Sequence, residues 1–183
     1  MSNFTFMETK IKGLYLIDIK SYGDNRGHFM ETYKQSVFDE AGLKYWFVQD
    51  NQSSSRKGVL RGLHFQKDYP QAKLVRVIRG EVFDVAVDLR KNSQTYGQWV
   101  GALLSEENRK QFLIPRGFAH GFQVVSDYAE FVYKCDEEYH PEDEGGILWS
   151  DPSIGIDWPI KDNIILSEKD KRNPSLKDIS IEF

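Results

Sequence analysis

One cysteine, four histidines and no apolar run approaching the roughly 20 residues of a membrane span mark this 183-residue sequence by what it has little of. Cys135 alone makes no internal disulfide, which excludes a disulfide-stapled scaffold, and the opening "MSNFTFMETKIKG" lacks the apolar run of a signal peptide. The expectation is a cytoplasmic protein without a membrane partner. Positive charge is not in excess either. The 28 acidic and 24 basic residues give a net charge of −4, spread along the chain, so no basic stripe follows a phosphate backbone and nucleic acid is not an expected partner. The G-x-S-x-G elbow, the Walker glycine loop and G-x-G-x-x-G are all missing.

What is present is a chain able to bury a core: 40% of residues are apolar and 14% aromatic. No linker, repeat or low-complexity segment interrupts it, so residues 1–183 are expected to form one domain with short N- and C-terminal arms. "GLYLIDIK", "YWFVQDN", "GVLRGLHFQ", "AKLVRVI", "GEVFDVAVDLR", "GQWVGALL", "KQFLIP", "HGFQVVSD" and "AEFVYKCDEEY" alternate apolar and polar residues between turn-forming residues. So many period-two runs predict a mainly β sandwich or barrel with a few short helices. "VRVIRGEVFDVAV" reads as a hairpin turning at Arg79-Gly80-Glu81. Helical signal is confined to "KQSVFDEAGLK", ending at Gly42, a capped turn opening at Ser105, and one turn within "ILSEKDKRNPSLKD".

Several polar residues stand where strands should be apolar. In "VLRGLHFQ" a straight strand puts Arg61 and His64 on opposite faces, and Gly62 between them marks a place where a bulge could bring both to one cavity. Gln49 and Asn51 share a face, as do Phe29 and Glu31; Lys73 leads a face with Val75 and Val77, and Phe131, Tyr133 and Cys135 share another. Each has an ordinary explanation as a strand end, a snorkelling lysine or a tyrosine reaching the surface.

Three readings of His64 compete: a satisfied core group, a metal ligand and a proton-transfer residue. "PRGFAHGF" resembles the P-x-G-x-x-H element of cupin barrels, whose histidine can bind metal. The earlier cupin element supplies His-x-His, however, and here it reads His64-Phe65-Gln66, one imidazole short. No metal is therefore expected, and His120 is left to substrate hydrogen bonding or packing. Acid–base chemistry remains, for which His64, Lys73 and Tyr133 are suitable types. Asp170 could orient the imidazole, although Ser167 with Asp170 three residues on equally matches a capping box.

Taken together, "DNRGHFMETY", "FVQDN", "GVLRGLHFQ", "KLVRVIRGEVFDVAVDLRKNSQTYGQW", "IPRGFAHGF", "YKCDEEYHPEDEGGILWSDPSIGIDWP" and "LSEKD" resemble, in unbroken order from about residue 10 to 170, the dTDP-4-dehydrorhamnose 3,5-epimerases. The resemblance implies a cupin-type jelly roll, a homodimer, and a cofactor-free inversion of C3 and C5 in a dTDP-linked 4-keto-6-deoxy sugar. It implies His64 as base, Asp170 as its partner, Tyr133 as proton donor and Lys73 as the cation at the keto oxygen. The matching binding set is Arg26, Phe29, Glu31, Gln49, Asn51, Arg61, His120, Tyr139, Glu144 and Lys169. Glu138 departs from the family pattern, where an aromatic residue often precedes the tyrosine, which bears on how many centres are inverted. A single-centre epimerase, a non-catalytic sugar-nucleotide-binding module and a metal-dependent cupin enzyme are the alternatives.

Overall fold

The computed structural model describes residues 2–181 and 183. Strands β1 (Phe4–Glu8) and β2 (Tyr15–Ile19) pair antiparallel, followed by a separate hairpin of β3 (Ser21–Asp24) and β4 (Gly27–Met30) and a short helix α1 (Gln35–Glu40). Eight strands follow: β5 (Gln49–Arg56), β6 (Leu60–Gln66), β7 (Lys73–Arg79), β8 (Glu81–Asp88), β9 (Trp99–Ser105), β10 (Gln111–Ile114), β11 (Phe118–Val124) and β12 (Tyr128–Cys135). β13 (Glu144–Gly146) is the last strand, and the C-terminal segment forms 3₁₀ turns at Asp170–Arg172 and Leu176–Asp178.

The order β5-β12-β7-β10 in one sheet and β6-β11-β8-β9 in the other is that of a jelly roll, the predicted mainly β architecture. β2 and β1 extend the first sheet beyond β10, and β13 edges the second beside β6. The alternation produces the sandwich directly. Val75, Val77, Val82, Ala86, Phe112, Phe122 and Phe131 point inward from both sheets and close a common core. The outer face of the second sheet is covered by C-terminal residues, with Trp158 and Ile154 packed over Val85 and Val87. That of the first is covered by α1 through Phe38 against Leu74 and Leu113.

Three local expectations change and one holds. Gly80 does turn the chain, at φ +75°, but β7 and β8 enter opposite sheets instead of pairing as a hairpin. A Cβ at Gly80 would lie 2.0 Å from the Tyr128 carbonyl oxygen, so the corner is too close for any side chain. The capped turn expected at Ser105 forms: its Oγ accepts the Asn108 N–H at 3.0 Å and its carbonyl accepts the Arg109 N–H at 2.9 Å, a single turn that does not extend into a helix. Tyr45 and Phe47 join the aromatic cluster around Phe38, and the strand starts only at Gln49. Phe4–Glu8 forms a strand paired with β2, in a stretch where no alternating run was marked. Among the described residues no helix is long and apolar enough to cross a membrane.

Candidate active site

Beyond the packed core the two sheets part around a cavity of about 670 Å³. Its walls follow from strand parity. Gln49 and Asn51 on β5, Tyr133 and Cys135 on β12 and Lys73 on β7 face it from the first sheet, with Cys135 opposite both Gln49 and Lys73 in the register. Arg61 and His64 on β6 and His120 on β11 face it from the second.

Arg61 and His64 reach the same cavity because β6 bulges. His120 pairs with His64 and Phe122 with Arg61, so two steps along β11 match three along β6. The displacement occurs at Gly62, where φ is +121° and a Cβ would sit 2.5 Å from the Gly121 Cα. Gly121 is equally confined, since its own Cβ would meet the Arg61 carbonyl oxygen at 2.6 Å. Two glycines back to back let the strands touch and turn both side chains inward.

His64 Nε2 lies 2.6 Å from Asp170 Oδ1. Ser167 Oγ accepts the Asp170 N–H at 3.1 Å, so half of the capping pattern forms, but the Asp170 carboxylate turns to the imidazole. Burial pushes the Asp170 carboxyl up, yet His64, the Ser167 hydroxyl and the Gly62 N–H outweigh it and hold it below the ordinary range. An ionised Asp170 accepting from Nε2–H fixes the tautomer and leaves the Nδ1 lone pair free as a base. Nδ1 is 3.9 Å from Glu144 Oε1, a second carboxylate able to stabilise an imidazolium. Burial raises Glu144 as well, but Lys169, Tyr139 and His64 together keep it ionised; Lys169 Nζ and the Tyr139 hydroxyl, at 2.9 Å, both donate to Oε2.

Across the cavity, Tyr133 is raised chiefly by burial and further by Cys135, so its phenol keeps the proton that a donor needs. The Lys73 ammonium sits 5.5 Å from the Tyr133 ring centroid and 3.8 Å from Cys135 Sγ, and burial pulls its pKa down. Gln49 Nε2 donates to Asn51 Oδ1 at 2.9 Å and accepts the Tyr139 N–H through Oε1 at 2.8 Å, which ties the β5 amides to the cavity rim. Arg61 donates to Ser55 Oγ at 3.1 and 3.2 Å.

His120 is 8% exposed and its Nε2 lies 3.0 Å from both carboxylate oxygens of Asp84. Burial raises Asp84 despite His120. This second His–Asp pair was not anticipated; its signal was an acidic residue on the inward face of β8, between Val82 and Ala86. Gln66, at the cupin metal position, instead donates to the Tyr69 and Glu138 carbonyls and accepts the His140 N–H.

Three candidates lie elsewhere. Arg26 pairs with Asp24 on its own hairpin, Phe29 is 72% exposed on β4, and Glu31 follows β4; none lines the cavity.

The chain matches the family model for dTDP-4-dehydrorhamnose 3,5-epimerase over residues 8–178. It is 57% identical over 180 residues to the dTDP-4-dehydrorhamnose 3,5-epimerase of Methanothermobacter thermautotrophicus, covering 97% of both chains. A crystal structure of the Legionella pneumophila dTDP-6-deoxy-D-glucose-3,5-epimerase with dTDP-4-keto-L-rhamnose superposes with TM-score 0.95 at 51% identity, covering 97% of this chain and 95% of that one. A 3′-monoepimerase from Streptomyces bikiniensis in complex with dTDP-quinovose is more distant, with TM-score 0.87 at 32% identity over 92% and 86% of the respective chains.

Proposed function

Because the chain belongs to the dTDP-4-dehydrorhamnose 3,5-epimerase family, we propose that its cavity inverts C3 and C5 of a dTDP-linked 4-keto-6-deoxy sugar, the reaction that gives dTDP-4-dehydro-L-rhamnose. The observation that carries the reading is a His64–Asp170 pair at 2.6 Å on one sheet facing Lys73 and Tyr133 on the other. A sugar between the sheets would have a base on one side and an acid on the other. His64 Nδ1 takes the proton from the carbon next to the C4 ketone, and the electron pair of that C–H bond moves onto the ketone oxygen. Lys73 donates a hydrogen bond to the enolate oxygen. Tyr133 O–H then returns a proton to the opposite face of the same carbon, and solvent exchange restores the imidazole and phenol. Every step is a proton transfer, so no redox partner or metal enters it.

Arg61, Gln49, Asn51, His120, Tyr139, Glu144 and Lys169 complete the binding surface in this proposal, the arginine's planar fork suiting a diphosphate. Two-centre inversion is favoured over one by the higher identity to relatives named 3,5-epimerase than to the 3′-monoepimerase. A binding module would have no use for a base, a partner carboxylate and a buried lysine in one pocket.

The experiment is epimerisation in D₂O followed by NMR, comparing the parent with Tyr133→Phe. If Tyr133 is the acid, the variant still washes deuterium into the sugar at C3 and C5, because His64 still removes and returns protons on its own face, while net inversion slows by about 10²-fold or more. Loss of exchange and inversion together would assign Tyr133 another task.

Arg26, Phe29 and Glu31 fit the same reading only in a homodimer. Their hairpin stands apart from the cavity of its own chain, and Phe29 exposes its ring, so we propose that a second copy of the chain receives them. Analytical ultracentrifugation should find a dimer at assay concentrations, and an active monomer would remove the idea. One domain working in the cytoplasm is part of this proposal.

A further inference from the structure

We propose that Gln71 is a positioning residue that clamps the Lys73 ammonium to the cavity wall formed by residues 137–139. The inference rests on the role of Lys73 given above.

Gln71 lies two residues before Lys73 and lines the same cavity. Its Oε1 accepts from Lys73 Nζ at 2.5 Å, while Nε2 donates to the Glu137 and Glu138 carbonyls at 2.9 and 3.1 Å. Only this amide orientation works. Turned over, it would set its NH₂ against an ammonium and its oxygen against two carbonyls.

An ammonium carries three donors. One is held by Gln71 and one points to the Cys135 sulfur at 3.8 Å, a weak acceptor. The third is left for an oxygen in the cavity. Among the described residues, Gln71 thus supplies the strong fixed contact that aims it. Gln66, two residues after His64, also donates to the Glu138 carbonyl, at 3.1 Å. The wall that carries Tyr139 is therefore tied to the strand of the base and, through Gln71, to the lysine.

The two ends of the amide can be separated. Gln71→Leu removes both. Gln71→Glu keeps an acceptor for Lys73, adds a negative charge beside it, and loses the donor to the wall. Both variants should raise KM, because both loosen residues 137–139. Only Gln71→Leu should also lower kcat, by roughly 10–10²-fold, as a misplaced reacting group does. The ¹³Cε resonance of Lys73, assigned by its absence in Lys73→Met, should titrate at lower pH in Gln71→Leu and at higher pH in Gln71→Glu. The charged or titratable groups facing the ammonium, Cys135, Tyr133, Asp136 and Glu144, are the same in all three proteins. If Gln71→Leu does not fold, the direction of the Gln71→Glu titration decides. Raised KM with unchanged kcat and unmoved Lys73 titration would reduce Gln71 to a wall support and overturn the proposal. A fully active Lys73→Met would instead remove the reading beneath it.

Discussion

His64→Ala is expected to turn over the 4-keto sugar nucleotide at least ~10³-fold more slowly than the parent, with exchange of both C3 and C5 hydrogens into D₂O lost along with inversion. A well-placed general base contributes ~10²–10⁴-fold, and in the proposed reaction the same group begins both inversions. His64 is only half-buried and lines a cavity, so its removal leaves no packed neighbour unsupported and the fold should survive. Asp170 would then be the stranded partner, a carboxylate that keeps the Ser167 hydroxyl and the Gly62 N–H but loses the imidazole. Circular dichroism and a urea melt establish that the variant is folded, and the exchange assay reads the chemistry. Turnover within tenfold of the parent by folded His64→Ala would end the assignment of the base. Asp170→Asn should be milder, because an amide can still accept from Nε2–H while no longer favouring the imidazolium.

Lys73→Met is expected to lower kcat by ~10²–10³-fold with little change in KM, the cost of losing one preorganised donor at a developing oxyanion. Methionine keeps the length and apolar stem of the lysine and lacks the charge. The parent should also show a decline at alkaline pH that this variant lacks. Burial favours the neutral amine, so the Lys73 pKa is lowered, and the protonated donor is lost as pH rises through a value beneath the ordinary lysine range. A pH–rate profile of both proteins tests the point. An alkaline limb shared by parent and Lys73→Met would belong to another group, Tyr133 being the first to examine, since its proton is also needed.

The β architecture was legible because its signal is periodic: inward valines and phenylalanines every second residue leave few alternatives to a sandwich. Which strands pair was not. Arg79-Gly80-Glu81 is a turn in either case, and only the crowding of Gly80 against Tyr128 shows that it carries the chain from one sheet to the other. Individual pocket residues were readable where parity holds, as with Gln49, Asn51, Lys73 and Tyr133. Arg61 and His64 break parity, and what restores them to one cavity is a bulge whose sequence trace was a single glycine; its counterpart Gly121 lies 59 positions away on another strand. Asp170 shows the limit of local pattern. Its spacing from Ser167 predicts a cap, the cap's backbone half is present, and the side chain is taken by a histidine 106 residues earlier. Asp84 went unremarked because a lone acid in an apolar strand has meaning only once its partner His120 is known.

The sandwich is solid at one end and hollow at the other, and the two ends answer to different selective demands. At the packed end each methyl group contributes to folding. Beside the hollow, Lys73 and Asp84 are held in surroundings that disfavour their charged forms, a thermodynamic cost that, on the proposed reading, is returned for Lys73 in turnover. On that reading, mutational drift in the hollow is opposed by the need for product rather than by the need to fold. A descendant released from catalysis could fill it with apolar side chains and outlast its parent on heating, keeping the jelly roll as an inert shell.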